Sequence, residues 1–224
     1  MIYFIIAAKL VILHMNSVNL VERFNIDPKK KSKITMNLND DIKKACEIME
    51  KGGVILYPTD TIWGIGCDAT NEEAVRRVFE IKRRADSKAM LVLIDTAAKL
   101  NYYVKEVNDV AWDLIELADK PMTIIYDGAR NLAPNLLAED GSVGIRVTNE
   151  PFSKQLCQRF RKAIFSTSAN ISGTPSPAKF SDISDEIKQA VDYVVESRRE
   201  EAVEAKPSSI IKLSAKGEIK IIRK

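Results

Sequence analysis

Val54-Ile55-Leu56-Tyr57-Pro58-Thr59-Asp60-Thr61-Ile62-Trp63-Gly64-Ile65-Gly66 is the stretch that decides the class of fold. Its four leading residues form a continuous apolar run closed by proline. That pattern fits a short strand buried on both faces, because proline cannot extend the ladder of hydrogen bonds. The residues that follow are hydroxyl, carboxylate, hydroxyl and then two glycines. On spacing alone they make an ordinary Asp/Thr/Gly turn. The same turn also stands where open α/β sheets bind small polar ligands, beyond the end of a strand.

Upstream, Asn37 or Asn39 can cap a helix whose apolar positions Ile42, Ala45, Cys46 and Met49 repeat at helical spacing, with Gly52-Gly53 ending it. Downstream, Asn71 caps a second helix with Glu72 and Glu73 in its first turn, where negative charge suits the dipole. Further strands are predicted over 90–94, 122–126, 142–147, 163–166, 191–195, 209–213 and 218–222, and helices over 110–118, 183–190 and from Pro151. Strands and helices mix without a strict βαβ rhythm. The expected fold is α/β: a single domain with a twisted, mainly mixed open sheet flanked by helices.

Composition agrees with a globular chain: 224 residues, 46% hydrophobic and 29% charged, with a net charge of +3 that permits anionic ligands without demanding them. Cys46, Cys67 and Cys157 show no C-x-x-C spacing, which argues against zinc and disulfides and for a reducing cytoplasm. MIYFIIAAKLVILHM at 1–15 is too short for a membrane span and lacks a basic leader. After the basic break DPKKKSK at 27–33, residues 37–224 read as the organised domain and 1–36 as an extension of unknown role.

Two further segments carry polar chemistry. Lys82-Arg83-Arg84-Ala85-Asp86-Ser87-Lys88 places four cations where a helix ends. Lys82 suits the helix dipole; Arg84 and Lys88 lie beyond the helix and suit phosphate better. Ser166-Thr167-Ser168-Ala169-Asn170-Ile171-Ser172-Gly173-Thr174-Pro175-Ser176-Pro177 opens from a buried strand into hydroxyls and an amide. The only histidine is His14, and neither Gly-x-Ser-x-Gly nor a Walker pattern occurs, so a Ser-His-Asp hydrolase and a P-loop enzyme are both disfavoured. A site of hydroxyls, amides, cations and glycines suits chemistry by alignment and by stabilising phosphate charge.

Together PTDTIWGIGCDA (58–69), KRRADSKAM (82–90), SVGIRVTNEPF (142–152) and STSANISGTPSP (166–177) resemble, in order and spacing, the YrdC-like threonylcarbamoyl-AMP synthases. The resemblance runs from about Asp40 to Arg223. It implies a nucleotidyltransferase, an L-threonylcarbamoyladenylate synthase that uses L-threonine, bicarbonate or CO2 and ATP with Mg2+, and holds no tightly bound cofactor. It implies a downstream tRNA threonylcarbamoyl transferase as partner. It puts Lys82 and Arg84 at the chemistry, and Lys82, Arg84, Lys88, Ser142, Ser168, Asn170, Ser176 and Arg223 on the nucleotide. Thr61, Arg146, Ser166 and Ser208 then face L-threonine, with Arg146 on its carboxylate. The sequence departs from the family at Ala85, at Asp119-Lys120-Pro121, at Leu93 where some members carry histidine, and at Lys212 where many carry aspartate. The alternative reading is a non-catalytic module for tRNA or double-stranded RNA, which stacking aromatics among the cations would favour; the 82–88 cluster has none. A third is carbamoyl transfer to another acceptor.

Overall fold

The computed structural model of the protein describes residues 37–84, 90–201 and 207–223. The elements run α1 (Leu38–Glu50), β1 (Ile55–Tyr57), β2 (Gly64–Asp68), α2 (Glu72–Ile81), β3 (Leu91–Ile94), α3 (Leu100–Tyr103), α4 (Asp109–Leu117), β4 (Met122–Tyr126), β5 (Val143–Val147), α5 (Pro151–Phe160), β6 (Ile164–Ser168), α6 (Asp185–Ala190), β7 (Tyr193–Val194), β8 (Ser209–Leu213) and β9 (Ile219–Arg223).

Local chemistry sets most of these boundaries. The Asn37 side chain accepts from the backbone N–H of Asn39 and Asp40, so Asn37 rather than Asn39 caps α1. Asn71 accepts from Ala74 N–H at the start of α2. Pro151 occupies the first turn of α5, and Glu150 accepts from the N–H groups of Phe152 and Ser153.

Nine strands in the order β7-β1-β2-β6-β3-β5-β4-β8-β9 form one sheet. Pairs β1–β7, β3–β5 and β4–β8 are parallel and the others antiparallel, so the sheet is mixed, as expected. Side chains alternate between its faces. Ile55, Tyr57, Leu93 and Ile164 pack with α1 and α5 (Ile42, Ala45, Met49, Phe152, Leu156, Phe160). Leu56, Ile65, Val92 and Phe165 point the other way, toward α2 through Ala74, Val75 and Val78. At β1 and β3 the sheet is therefore covered on both faces, which is why residues 54–57 and Leu91–Ile94 read as unbroken apolar runs, whereas β9 is exposed.

The reading of Gly64-Ile65-Gly66 as turn glycines is corrected: they lie in β2, an interior strand paired to both β1 and β6. Glycine is needed there by close approach. A Cβ on Gly66 would lie 2.7 Å from the Tyr57 ring and 2.9 Å from the Phe165 carbonyl. The bare backbone lets Tyr57 cross the strand and donate to Ser166 Oγ at 2.8 Å.

A buried carboxylate organises one further loop. Asp41 of α1 is fully buried. It accepts from Tyr193 Oη at 2.6 Å, from Ser197 Oγ at 2.6 Å and from the N–H groups of Glu196 and Ser197. Arg198, next in that loop, donates to the Thr59 carbonyl at 3.1 Å and pairs with Glu150 at 3.0 Å. The turn after β1 is thus braced from outside the sheet.

Candidate functional site

α1 and α5 cover one sheet face over β1, β2 and β3, and a cleft of about 240 Å³ opens where that cover stops. Strand alternation aims Gly144 and Arg146 of β5, Thr123 and Ile125 of β4, Ile210 of β8, and Ser166 and Ser168 of β6 into it. Thr59 and Thr61 enter from the turn after β1, Arg84 from the chain after α2, and Arg223 from β9. Eight of the residues singled out from the sequence converge on this one cleft: Thr61, Arg84, Arg146, Ser166, Ser168, Ser176, Ser208 and Arg223. Lys82, Ser142 and Asn170 do not line it, and Lys88 lies outside the described residues.

One end is a closed hydrogen-bond network around a buried arginine. Arg146 Nη1 donates to Asp60 Oδ1 at 3.0 Å and Thr61 Oγ1 at 3.1 Å; Nη2 donates to Ser208 Oγ at 2.7 Å and Thr123 Oγ1 at 3.0 Å; Nε also meets Thr123 Oγ1 at 3.2 Å. The Arg146 and Asp60 side chains are 5% and 10% exposed, so this is an ion pair out of bulk water, with every guanidinium N–H directed at an acceptor. Thr59 shapes the turn that delivers Asp60 and Thr61: its Oγ1 donates to the Ile62 carbonyl at 2.8 Å and accepts from Thr61 N–H at 3.1 Å. A carboxylate entering this end would bind the guanidinium bidentately by displacing two of these acceptors, beside a ring of hydroxyls that can serve a polar side chain.

The other end is more open. Arg84 follows the left-handed Arg83 (φ 50°), which turns the chain off α2 and sends the two arginines apart. Arg83 is exposed and pairs with Glu186 at 2.5 Å; Arg84 faces the cleft. Arg223 donates to the Ser208 carbonyl at 2.9 Å, and burial together with the charge of Arg146 lowers its pKa. Among the described residues no carboxylate pairs with Arg84 or Arg223. This end has net positive charge and hydroxyls (Ser168, Ser176), the chemistry of a polyphosphate site.

Lys82 is 2% exposed at the end of α2, and its ammonium meets the carbonyls of Ser168 and Asn170 at 2.6 and 2.7 Å. Burial first, and Arg84 second, push it down to about 8. The backbone N–H of Ser142 donates to Asp140 Oδ1 at 3.0 Å, and the residue lies buried just before β5. Asn170 donates to the carbonyls of Ile171 and Thr174, holding its own loop together.

The departures from the family pattern are placed as well. Leu93 is fully buried beneath α1 and α5 and does not line the cleft. Lys212 points outward to Asp140 and Asp127 at 2.7 and 3.1 Å. Asp119, Lys120 and Pro121 border a separate recess of about 160 Å³ shared with Asp60. Ala85 lies outside the described residues. The sequence reasoning missed Asp60, Thr123 and Thr59 as members of the network. The available signal was Asp60 itself, since a buried arginine needs a carboxylate and Asp60 stands in the quoted turn.

Fold and cleft define a class: a mixed-sheet α/β protein in which a partly uncovered face joins a pre-bonded arginine–hydroxyl end to a cationic end, with no histidine or thiol in the lining among the described residues. A family model described as telomere recombination, the Sua5/YciO/YrdC domain, matches residues 47–224, and the chain belongs to that family. It is 32% identical to a threonylcarbamoyl-AMP synthase of Pseudoalteromonas translucida, over 72% of this chain and 88% of that protein. It is 35% identical to a putative threonylcarbamoyl-AMP synthase of Methanocaldococcus jannaschii, over 78% and 83%. The E. coli YciO structure superposes with TM-score 0.72 at 26% identity, covering 82% of this chain and 88% of that one. P. abyssi Sua5, solved as a complex with L-threonine, superposes with TM-score 0.69 at 23% identity, over 77% of this chain. That likeness speaks for the fold alone, and the chain spans half the length of that protein.

Proposed function

We propose that this chain is an L-threonylcarbamoyladenylate synthase, with residues 37–224 as its catalytic domain. The observation that carries the reading is the two-ended cleft: Arg146 among hydroxyls at one end, Arg84 and Arg223 without a carboxylate partner among the described residues at the other. The names of the relatives support the same reading.

The amino group of L-threonine captures CO2 as a carbamate and gives up a proton. A carbamate oxygen then attacks the α-phosphorus of ATP, and the bond from that phosphorus to the bridging oxygen breaks to release pyrophosphate. The product is threonylcarbamoyl-AMP, which makes the enzyme a nucleotidyltransferase. In this account Arg146 binds the threonine carboxylate, and Thr61, Ser166 and Ser208 line the amino-acid end. Arg84 and Arg223, with Lys88, offset charge on the triphosphate, and Ser168 and Ser176 bind the nucleotide beside them. Ser142 and Asn170 support that end from behind its lining. No covalent nucleophile is required; alignment and charge stabilisation do the work. Mg2+ enters as part of MgATP. Among the described residues no cluster of His, Cys, Asp or Glu forms a ready-made cage for it. The product's activated acyl group calls for a tRNA threonylcarbamoyl transferase as the next enzyme, in the cytoplasm. None of the described helices is long and apolar enough to cross a membrane, and the free cysteines are all buried.

The test is pyrophosphate release from ATP by the purified chain. Release that depends on both L-threonine and bicarbonate supports the reading; release that ignores threonine removes it.

A further inference from the structure

Lys82 poses a physical problem. An ammonium taken out of water normally pairs with a carboxylate, because desolvation otherwise costs several kcal/mol. Lys82 is 2% exposed, yet among the described residues no carboxylate meets it. Among the described residues the charge that shifts it is Arg84, of the same sign. Its partners are instead two backbone carbonyls, Ser168 O at 2.6 Å and Asn170 O at 2.7 Å, with Ser168 Oγ and Asn170 Oδ1 farther off at 3.5 Å.

The tie runs in both directions. The Lys82 carbonyl accepts from Ser172 N–H at 2.9 Å, so one residue of α2's end grips the loop after β6 by its side chain and by its backbone. The loop closes on itself around that grip: Asn170 N–H donates to Ser168 O at 2.9 Å, and Thr174 N–H to Ile171 O at 3.1 Å. Ser168 sits at the junction, with its carbonyl on the ammonium and its side chain in the cleft lining.

We propose that Lys82 is a positioning residue: its buried ammonium draws together the carbonyls of Ser168 and Asn170, and so aims the Ser168 hydroxyl at the nucleotide, without reaching the nucleotide itself. The inference rests on the nucleotide reading of that end of the cleft. Burial and Arg84 hold the ammonium near 8, so the tie is charged below that pH and is lost as the pH rises through it. The groups facing Lys82 from the loop, Ser168 and Asn170, do not titrate, so the step belongs to Lys82.

Amide hydrogen exchange on the full chain without nucleotide reads the tie directly. Lys82→Met should speed exchange at residues 168–174 and leave β4 and β5 unchanged. In the wild type the same segment should lose protection above pH 8, after correction for intrinsic base catalysis, and the variant should show no such step. A double-mutant cycle on ATP binding, by calorimetry, then tests the route. If Lys82 acts through Ser168, Lys82→Met and Ser168→Ala each weaken binding about tenfold and the pair weakens it no further; a direct phosphate contact makes the two losses multiply. Unchanged exchange at 168–174, or multiplying losses, overturns the proposal. If Lys82→Met does not fold, the wild-type pH step decides alone. If the wild type binds no ATP, the nucleotide reading fails while the exchange result still decides whether the tie exists.

Discussion

At the end of the cleft built on β4, β5 and β8, every guanidinium N–H of Arg146 already points at a protein oxygen, and Asp60 balances its charge. At the end beyond β6 and α2, Arg84 has no carboxylate among the described residues, and Ser176 is exposed. The contrast follows from what builds each end. Strand residues are fixed by their ladders, so Arg146 and Thr123 meet without further ordering. Loop residues must be held by something else, and there the structure spends a buried ammonium on two carbonyls. The bonded end is prepared for a small ligand of one shape. The other end is left for a ligand that brings its own charge and completes the order.

If that contrast is right, breaking the network at its centre has the largest effect. Arg146→Met leaves Asp60 buried without its partner; stability should fall by roughly 3–5 kcal/mol, and threonine-dependent turnover should vanish. Urea unfolding and the pyrophosphate assay read the two losses. Arg84→Ala should be smaller and confined to the nucleotide: it removes a charged contact worth about 1.5–3 kcal/mol, seen as a raised KM for ATP with unchanged melting. Arg83→Ala, one residue away, breaks only an exposed pair with Glu186 and should shift KM by less than about 1 kcal/mol in free energy. Equal effects of the two substitutions would mean that the cleft is misassigned.

Substrate choice sharpens the same comparison. The hydroxyls of Thr61, Thr123, Ser166 and Ser208 surround Arg146's end of the cleft. Valine, which lacks threonine's hydroxyl, should lose about 1–3 kcal/mol in kcat/KM, up to roughly a hundredfold. The smallest effect is expected at Lys212. Its ion pairs are exposed, and its hydrogen bond, the largest cause, holds Asp140 down at about 2. The Asp140 contribution is therefore present above the ordinary carboxyl range and is lost only as the pH falls toward 2. Lys212→Ala should leave turnover intact and cost less than about 1 kcal/mol by urea unfolding at neutral pH.

Much of this was legible in the sequence where one residue type has one physical use. Asn37, Asn71 and Pro151 announced helix starts because their side chains satisfy or omit terminal N–H groups. The apolar run before Pro58 announced a strand buried on both faces. Glycine was the residue that misled. Gly64 and Gly66 serve a strand here because Tyr57 and Phe165 press on the backbone, a demand made by residues distant in sequence. Asp41 was hidden for the same reason: its partners, Tyr193, Glu196 and Ser197, lie some 150 positions away. Lys82 suited the helix dipole by position and the nucleotide by resemblance, and its sequence context could not show the carbonyls of Ser168 and Asn170 that surround its ammonium.

The most direct test is to identify the product. A single turnover with 13C-bicarbonate, L-threonine and MgATP should yield an adenylate whose mass includes threonine and one labelled carbonyl carbon, with one pyrophosphate released for each. Formation of ADP and phosphate, or of AMP carrying no label, would contradict the account.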